Sequence, residues 1–73
     1  MRNLCDVIDQ IVPCLRDSET KVIADLERIK NSVTFAAPEM MRYWWQKAQD
    51  ILVENIDSNH PNYKEILRIW NDK

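Results

Sequence analysis

The chain has 73 residues, with ten Lys plus Arg against twelve Asp plus Glu for a net charge of −2, one histidine, two cysteines and no glycine. A chain this short buries only about 60% of the surface it exposes when unfolded, so residues 1–73 read as one domain that needs dense helix packing or a partner subunit to be stable. The missing glycine excludes phosphate-cradling loops, dinucleotide fingerprints, EF-hand loops and the strained elbow of a nucleophilic serine, while the mild, scattered acidity argues against a nucleic-acid partner.

The opening "MRNLCDVIDQIV" carries aspartates where a signal peptide needs an uncharged core, and no purely apolar run exceeds three residues. A cytoplasmic protein that does not enter a membrane is therefore expected. Leu4, Val7, Ile8, Ile11, Val12 and Leu15 recur at spacings of three and four, the pattern of one apolar stripe on a helix over residues 3–16. Pro13 falls on its polar face, where the missing N–H and the clash with residue 9 bend or end the helix. Asp17 or Ser18 then serves as the cap of a second helix over 18–33, with Glu19 in its first turn. Its stripe is Val22, Ile23, Leu26, Ile29 and Val33. The two stripes are in phase, so a single helix of about 30 residues bent at Pro13, about 45 Å long, is the alternative to a break. Proline and a cap signal together favour the break.

"NSVTFAAP" connects to a third helix over 38–56, with Pro38 and Glu39 at its start. "DSNHP" breaks the chain again, and Pro61 opens a fourth helix over 61–71, with His60 or Asn59 placed to cap it. Tyr63, Ile66, Leu67 and Trp70 form its stripe, and Lys64, Glu65 and Arg68 stay in water. No stretch alternates apolar with polar residues for long, so no strand is predicted. The fold class is all-α, a small bundle of three or four helices.

The third helix sets Trp44 and Trp45 side by side, pointing about 100° apart. Met41, Ala48 and Asn55 lie along one line, flanked by Met40, Trp44 and Ile51 on one side and by Trp45, Leu52 and Ile56 on the other. This arc of about 160° exceeds the ~100° of a simple surface helix, so the helix touches two neighbours. Two readings follow for the indoles. In one, both are core, one packed on the N-terminal helices and the other on the last helix with Trp70. In the other, Met40, Met41, Trp44, Trp45, Ala48 and Leu52 form a protein interface, because Trp and Met anchor interface centres. Asn55 is expected to cap the helix end, or else to pair across an interface. The opposite face carries Arg42, Gln46 and Gln49, residue types that read base edges. Glu39, Asp50 and Glu54 stand among them and repel phosphates, and Val53 shares that face.

Chemistry is sparse. His60 is the single histidine, and a cap suits it better than a metal shared with Asp57. Asp6 and Asp9 share a helical face, as an acid-base pair requires, yet it is the face expected to be solvated. Cys5 and Cys14 lie about 13 Å apart along a helix and cannot bridge within it. They read as reduced, packed thiols, although Arg16 near Cys14 is of the kind that lowers a thiol pKa. No catalytic, cofactor or metal residue is assigned. The expectation is a non-enzymatic protein-binding module, a homodimer, that inhibits or regulates another protein in the manner of small phage or mobile-element inhibitors, antitoxins or immunity proteins. The alternative is a helical transcriptional regulator that contacts nucleic acid through Arg42, Gln46 and Gln49.

Overall fold

A computed structural model describes residues 3–72. Among them stand four α-helices and no strand: α1 Leu4–Ile11, α2 Thr20–Thr34, α3 Met41–Asn55 and α4 Tyr63–Asn71. The predicted all-α bundle is thus present, with four helices rather than three.

Helix α1 starts on Asn3, whose side-chain oxygen accepts the Cys5 backbone N–H at 2.8 Å and so satisfies one of the donors a helix start leaves unpaired. Pro13 sits in a tight 3₁₀ turn, Val12–Cys14, that closes the helix. Leu15 is then fully extended, at φ −84° and ψ 153°. The one-helix alternative is thereby overturned: the chain turns back at 15–19, and the whole molecule is 35 Å in its longest dimension, shorter than the ~45 Å that such a helix would need.

Helix α2 begins at Thr20, and neither Asp17 nor Ser18 caps it. Glu19 precedes it and turns its carboxylate back instead, accepting from the Arg16 backbone N–H at 2.8 Å and the Arg16 Nε at 3.2 Å. Pro38 opens a 3₁₀ turn, Pro38–Met40, that runs into α3. Pro61 does not open α4. Pro61 and Asn62 belong to a turn, and the helix starts two residues later, with the Asn62 backbone N–H donating to His60 Nδ1 at 3.1 Å.

The core is built around α1. Leu4, Val7, Ile8 and Ile11 are almost completely buried because α1 packs against both α2 and α4, while α3 packs against α2. Val22, Leu26, Ile29 and Val33 of α2 supply the facing stripe. Each such side chain taken out of water stabilises the fold by about 1.5–3 kcal/mol. The Cα radius of gyration of 11.8 Å is close to the ~11 Å of a compact monomer of this length.

Two polar contacts tie the α3–α4 connection to the α1–α2 connection. His60 Nε2 lies 2.7 Å from Glu19 Oε1, and the His60 side chain is 1% exposed. Because His60 Nδ1 accepts from Asn62, the proton sits on Nε2 and is donated to Glu19. Asn62 Nδ2 donates to the Cys14 carbonyl at 2.6 Å. The α3–α4 connection is thus clamped to the α1–α2 connection, which fixes where α4 begins.

Candidate protein-binding surface

The paired tryptophans face two different neighbours, as the wide apolar arc of α3 requires. Trp45 points to α4, where its ring meets Trp70 edge to face at 5.3 Å and 60°. Trp44 points to the α2 side, standing 5.0 Å from the Tyr43 ring at 74° and lining a cleft of about 420 Å³ with Ile29, Arg28 and Asp25 of α2. Such pairs contribute about 0.5–1.5 kcal/mol beyond their buried area.

The six residues expected at an interface divide three ways. Ala48 and Leu52 are core, Ala48 at 0% exposure, because they occupy the centre of the α3 face that closes on the bundle. Met41, Trp44 and Trp45 are half-buried against the core. Met40 alone stands out, at 42% exposure. Arg42, Gln46 and Gln49 are all exposed on α3, and Gln46 Nε2 donates to Asp50 Oδ1 at 2.9 Å. An amide held by a carboxylate has fewer free donors for a nucleic acid. Asn55 is exposed rather than buried, and its Nδ2 caps the helix end by donating to the Ile51 carbonyl at 2.8 Å.

Helix α4 departs from its expected stripe. Ile66 and Ile69, three residues apart and therefore on one side, are buried, while Leu67 is 44% exposed. The helix turns its 66/69 side into the core, which leaves Leu67 facing α3 across a gap. That gap is an open groove of about 500 Å³ between α3 and α4, within the ~300–1,000 Å³ range of binding pockets. Leu52, Ile56 and Ile66 form its floor, Tyr63 and Trp70 its α4 wall, and Val53 and Leu67 its two rims. Val53 is 71% exposed. Asp57 and Ser58 close one end, and Gln49 and Asn71 mark the other.

A second apolar feature lies at the α2–α3 corner. Phe35, which follows α2, is 89% exposed, and Met40 and Tyr43 are also exposed nearby in sequence. Periodicity had no means of marking Phe35, a single aromatic residue inside a connection. Val53 was visible on the solvent face of α3, but only the arrival of Leu67 opposite it makes a groove.

Outside the groove, the polar groups that the sequence singles out are accounted for by contacts at Asp9 and Glu19. Lys30 pairs with Asp9 across α1 and α2, so Asp9 is not held ready for acid-base work with Asp6. The Cys14 thiol is pushed up by burial and by the nearby Glu65, with Arg68 pulling the other way, so Arg16 does not activate it. Cys5 and Cys14 are both free thiols. Burial also raises Glu19, but the bonds from the Arg16 backbone N–H, from His60 and from the Arg16 side chain outweigh it and hold the carboxyl below its ordinary range. Among the described residues no group of three His, Cys, Asp or Glu side chains is placed to hold a metal ion, and no helix is long and apolar enough to cross a membrane. Compared with models of known families, with curated proteins and with solved structures, the chain matches none.

Proposed function

We propose that the chain is a non-enzymatic protein-binding module of the cytoplasm that inhibits or regulates another protein by seating that protein's apolar side chains in the groove between α3 and α4. The observation that carries this reading is the groove itself. A chain with few apolar residues to spare leaves Val53 and Leu67 exposed on either side of an apolar floor, and large exposed apolar patches on soluble proteins mark interaction sites. Phe35, Met40 and Tyr43 support a homodimer joined at the α2–α3 corner, which would leave the groove open in each subunit.

The test is capture of a partner from the native host by the tagged protein, repeated with Val53→Lys/Leu67→Lys. One protein held by the wild type at moderate salt and lost with the variant supports the reading. Recovery of duplex DNA in place of a protein, with binding that falls steeply as salt rises, would instead favour the Arg42, Gln46 and Gln49 face.

A further inference from the structure

We propose that the occupant of the α3–α4 groove is a short amphipathic helix of the partner, presenting two large apolar side chains three or four residues apart and a basic residue about one turn beyond them. This deepens, and rests on, the protein-binding reading. Size decides against a second folded copy. The groove is lined by eleven residues, whereas a standard interface takes about 20–30 residues and roughly 800 Å² from each side. From Gln49 to the end of α3 at Asn55 the groove follows the helix for about 9 Å, and Ile56 and Asp57, beyond the helix end, carry it further, to about two helical turns in all. That length admits two apolar side chains from one face of a helix, at the spacing by which helices dock into apolar grooves.

Charge supplies the direction. Asp57 is the one charged residue in the lining, it sits at the end where α3 stops, and among the described residues it joins no ion pair. Its Oδ1 accepts only the Asn59 backbone N–H, at 2.9 Å. A carboxylate at the mouth of an apolar slot favours Lys or Arg in the arriving segment and disfavours Asp or Glu. The remaining polar lining, Gln49, Ser58 and Asn71, is neutral.

A displayed library of alanine-based helices, randomised along one face, tests this with the full 73-residue chain as bait. Helices with the stated apolar spacing and a basic residue beyond it should be enriched. They should bind at least about tenfold more weakly to Val53→Lys/Leu67→Lys, with circular dichroism showing the fold of that variant intact. Asp57→Lys should exchange the preference for a basic residue for an acidic one. Enrichment of sequences without this spacing, no enrichment at all, or binding indifferent to the groove substitutions would overturn the inference. So would a change from dimer to monomer in the sedimentation of Val53→Lys/Leu67→Lys, because a second copy would then be the occupant. If a native partner is lost with that variant while no helix is enriched, the helical segment falls and the protein-binding reading stands.

Discussion

Truncating both rims of the groove, Val53→Ser with Leu67→Ser, removes apolar surface that the fold leaves largely open at Val53 and nearly half open at Leu67. Val53 is 71% exposed and Leu67 44%, so a partner that fills the groove covers what the fold leaves open. Full burial of a Val or Leu side chain contributes about 1.5–3 kcal/mol. Taking those fractions, each rim offers a partner on the order of 1 kcal/mol, and the pair about 2 kcal/mol. That corresponds to roughly a thirtyfold rise in Kd, since 1.4 kcal/mol is tenfold. The hydroxyls add to the loss if they are desolvated without a partner. Stability should fall by about 1–2 kcal/mol, most of it from the buried part of Leu67 at the same value per side chain. Isothermal titration with the partner recovered from the host measures the first quantity and urea unfolding the second. A Kd within twofold of wild type would show that the rims are not in the interface. A loss of stability well above about 3 kcal/mol would show that both residues belong to the core.

Trp45→Ala separates core from interface by the same logic: with its ring set against Trp70, it should cost about 3 kcal/mol of stability in denaturant unfolding, and a fully stable variant would contradict the packing. Glu19→Gln should change the acid limb of the stability curve. The Glu19 carboxyl is held below its ordinary range, so its contribution is present above the unfolded-state pKa and is lost as pH falls through the folded one. The variant should therefore be less stable than wild type at neutral pH and converge with it in acid, as read by unfolding at several pH values; parallel curves would refute the clamp between Glu19 and His60. Phe35→Glu should shift sedimentation from dimer to monomer with stability unchanged, and a dimer that persists would remove the α2–α3 corner as the joining surface.

The helices were legible in the sequence because their signals are local. The spacing of Leu4, Val7, Ile8 and Ile11 is enough to place α1 and its buried face, and the stripe from Val22 to Val33 does the same for α2. Helix ends were less so. Asp17 and Ser18 lost the start of α2 when Glu19 bonded back to Arg16 and across to His60, and the second of these contacts spans 41 residues, beyond any window of periodicity. Pro61 failed as a helix start because the bond between Asn62 N–H and His60 Nδ1 holds the chain in a turn.

The part of α3 that stays open is only partly the part that its periodicity marks: of the six residues expected at an interface, Met40 is exposed and Ala48 and Leu52 are buried. The wide arc of α3 correctly implied two neighbours. Which residues of the arc remain open depends on where α4 lands. Landing on its Ile66 and Ile69 side, α4 brings Leu67 to the groove that Leu52 and Val53 of α3 also line. A register choice between two elements carries no signature in either one alone.

The most direct measurement of the central claim is amide hydrogen exchange of the chain, free and bound to its recovered partner. Protection on binding should concentrate in Leu52–Ser58 and Tyr63–Asn71, the segments that border the groove, and leave α1 unchanged. Protection confined to other segments, or none at all in a complex that stays intact, would contradict the assignment of the groove as the docking site.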